Sequence, residues 1–210
     1  RLNLHERPAP PSDTSVWTEI GEGLQVLRQV PSVRGAMLHL VLLYSLLAAL
    51  YVLALQLAAL IDNLGASGFG ALLAMSGLGM AIGAVVIAQV GHRFSRRRLT
   101  AAGLGTITFT LVVLTQVQGS LGFTLAVCGI LGVGAALVAI PAQTTIQEET
   151  PETERGRVFG LQNNLINIAL SLPLVLAGTL VSSIGLQPVL WLLAGLALTA
   201  ALLERPWERC

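Results

Sequence analysis

The chain has 210 residues, of which 54% are hydrophobic and only 11% are charged, and its formal net charge is +1. Soluble globular domains carry about 25% charged residues, so this composition argues against a water-soluble domain and predicts a protein embedded in a lipid bilayer. A net charge this close to zero gives no electrostatic attraction toward nucleic acid, and no nucleic-acid partner is expected.

The first thirty residues differ from the rest of the chain. Residues 1–14 are polar and rich in proline, which predicts a linker. Residues 15–30 place Trp17, Ile20 and Leu24 at helical spacing among charged side chains, which predicts a short amphipathic cytoplasmic helix. We expect it to lie on the membrane surface, although a helical lead-in without a partner is the alternative. The chain starts with arginine rather than methionine, so a truncated protein and a natural half-protein both remain open.

Six apolar runs follow, and each is close to the 17–25 residues, roughly, that a helix needs to cross a bilayer. They occupy residues 35–60, 68–90, 99–117, 121–145, 158–184 and 188–203. The runs are apolar on all sides, whereas helices of a soluble bundle carry a polar face. The predicted fold class is therefore an all-α integral membrane domain with six transmembrane helices, extending over residues 31–210.

The arginines support this count of spans, because all twelve fall on one side of a six-span topology. They precede the first span, fill the second and fourth breaks, and follow the sixth span. The opposite side carries Asp62. Basic residues concentrate in cytoplasmic loops, so we expect both termini in the cytoplasm. We also expect a multi-pass protein of a bacterial inner membrane.

Uncharged polar residues inside the spans are the candidates for a substrate cavity. Tyr44 and Tyr51 are seven residues apart and share one face of the first span, with Gln56 closer to its outer end. Asn163, Asn167 and Ser171 recur at four-residue spacing in the fifth span and form one polar stripe. Because an amide in hydrocarbon needs a partner or water, this stripe must face another helix or a wet cavity. For Asn167, both alternatives remain open.

Other polar and ionisable residues favour structural roles. Gln162 and Asn163 lie nearer the cytoplasmic edge, where hydrogen bonds between helices or to a loop are favoured. His39 is four residues into the first span, and an interfacial position is favoured over a proton relay. No catalytic residues, metal ligands or cofactor motif are predicted, so an enzyme is not expected.

Small residues predict close approach of helices. Gly79 and Gly83 stand at GxxxG spacing in the second span, and Gly132 lies in a glycine-rich part of the fourth. Tight packing is favoured over a sliding surface for conformational change. Pro141 and Pro173 can kink the fourth and fifth spans.

Two cytoplasmic segments resemble motifs of the major facilitator superfamily. Residues 88–99, AQVGHRFSRRRL, resemble a degenerate copy of that family's G-x-x-x-D-R-x-G-R-R loop. Arg93, Arg96 and Arg97 fall on the basic positions of the motif, and His92 stands in place of its aspartate. This similarity places the loop between the second and third helices of one six-helix half.

The segment at residues 147–160, QEETPETERGRVFG, resembles the P-x-x-x-R-G-R turn that enters the eleventh helix of drug- and siderophore-exporter-like members. Arg155 and Arg157 fall on its arginine positions. The resemblance implies the second half of a major-facilitator fold, built as a 3+3 helix repeat in the bilayer and paired with a missing N-terminal half. It further implies alternating-access export of small amphipathic or drug-like molecules, and the alternative is a non-transporting scaffold of the same fold.

Overall fold

The structure, a computed structural model, describes residues 27–60, 65–116 and 120–203. Six long helices make up nearly all of these ranges, and no strand occurs in them. They are α1 (Pro31–Leu60), α2 (Gly65–Val90), α3 (Arg96–Gln116), α4 (Leu121–Glu149), α5 (Arg155–Ile184) and α6 (Leu186–Leu203). All six are long and apolar enough to cross a membrane, which confirms the predicted fold class.

Several helices extend beyond the apolar runs that predict them. α1 begins at Pro31, four residues before the run, because proline is favoured at the first helical position. α4 continues to Glu149 and carries polar residues past the end of its run. The apolar run therefore marks the part of a helix inside the bilayer, whereas the helix itself continues into the interface.

The residues before α1 are described only from Leu27 onward. Residues 27–29 are helical, and Leu27 is buried against α1, α4 and α5 in a cluster that includes Met37. This end of the predicted amphipathic segment thus packs on the bundle. The predicted linker and the rest of the amphipathic helix lie outside the described residues.

The helices pack as expected of two three-helix repeats, α1–α3 and α4–α6, in which the second helix of each repeat packs mainly on the first helix of the other. α4 packs most extensively along α2, and α1 packs correspondingly along α5. The equivalent helices of the two repeats also contact each other, since α1 packs on α4 and α3 on α6. The main apolar core lies where these helices meet, and its largest members include Leu43, Leu53, Leu104, Leu111 and Leu190.

Helices α2 and α5 are the least enclosed of the six, because only 17% of the most apolar 18-residue stretch of each helix is buried. Each instead presents a long row of exposed apolar side chains, such as Ile82 and Val85 on α2 and Leu172 and Val175 on α5. These two helices form the flanks of the bundle, where lipid or another protein surface can cover them.

A seam of glycines joins α2 to α4. A methyl group added at Gly79 would meet the carbonyl group of Gly129, and one added at Gly132 would meet the carbonyl oxygen of Ser76. A methyl group at Gly83 would approach the Ala136 Cβ to 2.7 Å. The close approach that the GxxxG spacing predicts is therefore present, and backbone lies against backbone along this seam.

Threonine hydroxyls inside α3 bond to the helix itself. Thr106, Thr108 and Thr110 each donate to the carbonyl oxygen four residues earlier, at 2.8–2.9 Å. Such bonds satisfy a hydroxyl without a second helix. They explain how a span with this many threonines can remain in hydrocarbon.

Candidate functional site

A cavity of about 640 Å³ opens between α1, α2, α4 and α5. Its walls are mostly leucine, with Leu57 and Leu72 among the apolar residues that line it. The polar side chains at its surface include Tyr44, Tyr51 and Ser76. The volume falls within the range of about 300–1,000 Å³ that is usual for small-molecule sites, and apolar walls with a few polar groups are also usual there.

The tyrosines reach this cavity because they share one face of α1. Tyr44 is half-buried, and Tyr51 lies about two turns further along the helix. The Tyr51 ring packs edge-on against Phe69 of α2, with 5.1 Å between ring centroids and 88° between ring planes. This geometry is favourable for aromatic pairs, so the contact fixes one wall of the cavity.

The other polar contact in the cavity wall joins α2 to α4. The Ser76 hydroxyl donates a hydrogen bond of 3.3 Å to the carbonyl oxygen of Cys128, and both residues line the cavity. A hydroxyl that is bonded in this way has less capacity left for a ligand. The tyrosine hydroxyls are therefore the stronger candidates for polar contact with a bound molecule.

The polar stripe of α5 lies beside this cavity. Leu170 and Leu174 line the cavity, and Asn167 precedes them by three and seven residues, a spacing that keeps all three on one side of the helix. Asn167 and Ser171 are both exposed, so neither is enclosed by the helices of this chain. Asn167 is twelve residues past the start of α5, roughly 18 Å along the axis, which places it deep in the span.

Gln56 lies apart from the other candidates. It is exposed on α1 and is not among the residues that line the cavity. Five residues at about 100° each turn it well away from Tyr51. The five-residue spacing alone predicts that the two side chains lie on different faces of α1, although both residues lie toward the same end of the span.

Gln162 makes the helix-to-helix contact that the sequence favoured for it. Its Nε2 donates a hydrogen bond of 2.7 Å to Oε1 of Gln143, which joins α5 to α4. Gln162 is buried, whereas Asn163 is exposed. The structure thus divides the amides of α5 into a buried one between helices and exposed ones on the polar stripe.

The two segments with motif similarity lie against each other through ion pairs. Arg96, at the start of α3, pairs with Glu148 and with Glu149 at the end of α4, the latter at 3.6 Å. The Arg96 guanidinium also donates to the Thr145 hydroxyl at 3.4 Å. These contacts join the loop after α2 to the turn before α5, although the two are about fifty residues apart in sequence.

Four of the remaining motif residues are exposed or paired locally. His92 and Arg93 lie in a short 3-10 turn, Gly91–Arg93, and are exposed. Arg155 lies 3.6 Å from Glu152, and Arg157 lies 3.0 Å from Glu154. Both are pairs three residues apart near a helix start, and exposed pairs of this kind contribute about 0–1 kcal/mol.

A second cleft, of about 560 Å³, lies at the arginine-bearing end of the bundle. Arg34 and His39 of α1 line it together with Arg96 and Arg97 of α3. Sequence reasoning did not bring these residues together, because it treated the arginines as markers of topology and His39 as an isolated interfacial residue. Within the part of the chain that the structure describes, no group of three or more potential metal ligands is present.

Comparison with known proteins adds independent findings. The family model described as "Major Facilitator Superfamily" matches residues 37–207. A curated protein of Bacillus subtilis (strain 168), "Uncharacterized MFS-type transporter YfiS", is 32% identical over an alignment of 203 residues. That alignment covers 88% of this chain and 45% of the relative, so the chain spans about half the length of that relative.

Proposed function

The chain belongs to the major facilitator superfamily of membrane transporters, and we propose on that basis that it forms the second six-helix half of a secondary active transporter. We propose further that this transporter exports small amphipathic or drug-like molecules by alternating access. Family membership and the name of the relative point to transport rather than catalysis. The motif similarity of residues 147–160 supports the exporter class and the assignment as the second half.

The observation that carries this proposal is the exposed polar stripe of α5 beside the apolar cavity. Asn167 and Ser171 are exposed deep in a membrane span. In contact with lipid, their polar groups would lack hydrogen-bond partners at a substantial free-energy cost. A water-filled path between this half and another half removes that cost, and the cavity beside the stripe supplies apolar surface for a hydrophobic ligand.

The uncovered flanks of the bundle, α2 and α5, support a second six-helix half as the partner. α2 and α5 leave most of their surface uncovered, and α5 carries the polar stripe. A second six-helix half packed against them would enclose the stripe and the cavity near the middle of the membrane, where transporters of this type bind substrate. Rocking of one half against the other would then expose the enclosed site to each side in turn.

If the complete transporter is a proton antiporter, we propose that its titrating carboxylate lies in the other half. In the described spans, arginine and carboxylate side chains lie near helix ends, as Arg34 and Glu149 do. A proton-coupled exporter needs an ionisable group within its spans. We therefore expect this carboxylate in the partner half.

We predict a topology with both termini and the loop around Ser95 in the cytoplasm. Every arginine of the chain lies either at the predicted cytoplasmic end of a span or in the segments before the first span and after the sixth. The positive-inside rule places that end in the cytoplasm. A membrane-impermeant thiol reagent added outside intact cells should label a cysteine placed at Ser67 or at Ser183 and should spare one placed at Ser95. Labelling at Ser95 from outside would refute this orientation.

The proposal is tested by replacing two amides of α5 in the complete transporter. Asn167→Leu should lower the transport rate or shift substrate preference by roughly three- to tenfold, the effect of losing one hydrogen bond to substrate. Its thermal stability in detergent should remain close to that of the wild type, because the side chain is exposed in this half.

Gln162→Leu is the matched control. It removes the bond to Gln143 and leaves that amide without its partner, so stability should fall by about 1–3 kcal/mol. The transport rate of the folded fraction should be unchanged. If Asn167→Leu instead lowers stability and leaves transport intact, Asn167 holds helices together and does not belong to the substrate path.

A further inference from the structure

We propose that the cleft at the arginine-bearing end of the bundle binds the phosphate headgroup of an anionic phospholipid. The cleft lies between α1, α3, α4 and α6, and its described lining includes no residue of α2 or α5. It is separate from the leucine-lined cavity, with which it shares no lining residue. The inference does not depend on what the protein transports.

The positive charge of the cleft is the first observation that favours an anionic ligand. Its described lining residues include three arginines and one histidine and no acidic residue. Arg96 is held by Glu148 and Glu149, and Arg97 and His39 also interact with other groups. Arg34 is exposed and makes no ion pair with any residue in the described ranges. Arg34 therefore supplies a positive charge that an external anion can neutralise.

The backbone adds to this field. The first turns of α1 and α3 both border the cleft, through Ser32 on α1 and through Arg96 and Arg97 on α3. A first helical turn carries partial positive charge. Part of each turn is already bonded, since the Arg34 N–H donates to the Val30 carbonyl at 3.1 Å and the Arg98 N–H donates to the Ser95 hydroxyl at 3.3 Å. Two such turns beside Arg34 favour an anion with several oxygen acceptors, such as a phosphate diester.

The apolar surroundings distinguish a lipid from a soluble phosphate. Ala36, Pro141 and Leu203 line the cleft beside the arginines. Leu203 is 74% exposed, and Leu38, next to His39, is 63% exposed. α1 and α6 barely touch each other, and exposed apolar side chains accompany the basic residues of the cleft. A molecule with an anionic head and apolar chains fits both parts.

The position of the cleft along the bundle also suits a lipid. Arg34 lies three residues into α1, roughly 5 Å from its start, where the helix leaves the apolar layer. Basic pockets between transmembrane helices at this depth bind anionic headgroups, and each arginine near the surface contributes about 1 kcal/mol. That energy corresponds to roughly a fivefold change in affinity per arginine.

The test uses the complete transporter purified in a neutral detergent. Native mass spectrometry should show retention of added phosphatidylglycerol in preference to phosphatidylcholine. Arg34→Gln should weaken this retention roughly fivefold, and Arg34→Gln with Arg97→Gln should weaken it further. Arg98→Gln is the matched control, because Arg98 is exposed at the same end but does not line the cleft. Arg98→Gln should leave retention unchanged.

Three results would overturn the proposal. Equal loss with Arg98→Gln would mean that retention reflects general charge at this end of the bundle. Equal retention of the two lipids would remove the anionic preference. Displacement of phosphatidylglycerol by equimolar glycerol phosphate would assign the cleft to a soluble phosphate. If the double variant does not fold, crosslinking of wild-type protein to a photoactivatable phosphatidylglycerol decides, and labelling should map to residues 31–39 and 96–100 rather than to α5.

Discussion

Gly132→Ala should nearly abolish the yield of folded transporter. A methyl group at Gly132 would meet the carbonyl oxygen of Ser76 and approach the backbone nitrogen of Met80 to 2.9 Å. Backbone atoms cannot rotate away as a flexible side chain can, so α2 and α4 must separate along the seam. Overpacking of this kind costs about 1–3 kcal/mol of stability and occasionally more. Because backbone atoms cannot move aside at this contact, we expect the cost at Gly132 to lie at the upper end of that range.

The controls for this prediction are one glycine of α2 and one glycine of α3, which also packs on α4. Gly77 and Gly105 have nothing within 4 Å of an added methyl group, so Gly77→Ala and Gly105→Ala should leave yield and thermal stability unchanged or slightly raised, since alanine is the better helix former. The measurement is the monodisperse peak in detergent size-exclusion chromatography with its melting temperature. A Gly132→Ala protein that matches the Gly77→Ala protein in both would contradict the seam.

The 210-residue chain alone should give no substrate flux in liposomes. A path between two halves does not exist when one half is absent, and the exposed polar stripe with Asn167 would then face lipid. Helix content by circular dichroism must first show that the purified chain is folded. Efflux of a fluorescent amphipathic dye under an imposed proton gradient should then equal that of empty liposomes.

The matching positive experiment supplies the other half. Co-reconstitution with the six-helix first half encoded before this segment, where such a segment is present, should produce flux, and a self-paired dimer of this chain is the other arrangement that could do so. Robust flux from a chain shown to be monomeric in the membrane would contradict a two-half path. The all-or-none difference makes this a stringent comparison.

The fold could be predicted from the sequence because the bilayer restricts it so strongly. A run of about 20 apolar residues has to cross as a helix, since every backbone polar group must be satisfied within the span. The helix ends were less predictable. Pro31 and Glu149 lie outside the apolar runs, where water satisfies backbone groups and hydropathy no longer marks the helix.

The cavity could be predicted only in part. Tyr44 and Tyr51 share a helix face through their seven-residue spacing, and both line one cavity. The rotation of α5 relative to α1 is set by side-chain packing, which the spacing within one helix does not report. For this reason the sequence left Asn167 open between a wet path and a helix contact, and placed Gln56 with residues from which it is turned away.

The basic cleft shows what a linear reading misses. Arg34 and Arg97 are more than sixty residues apart, and they line one cleft because α1 and α3 start at the same end of the bundle. A reader of the sequence could have paired them only by knowing which helices are neighbours. The Arg96 pairs with Glu148 and Glu149 have the same origin, since they join loops that the six-span topology places on one side without placing them together.

Cysteine accessibility at Asn167 tests most directly whether the α5 stripe borders a water-filled path. The complete transporter would carry Cys128→Ser and Cys210→Ser, and Asn167→Cys would be compared with Leu198→Cys, an exposed position on α6. We expect a charged, water-soluble thiol reagent to modify the cysteine at 167 rapidly and more slowly when a transported substrate is present, while the cysteine at 198 remains unmodified in lipid. Equal lack of reaction at both positions would contradict a wet substrate path along α5.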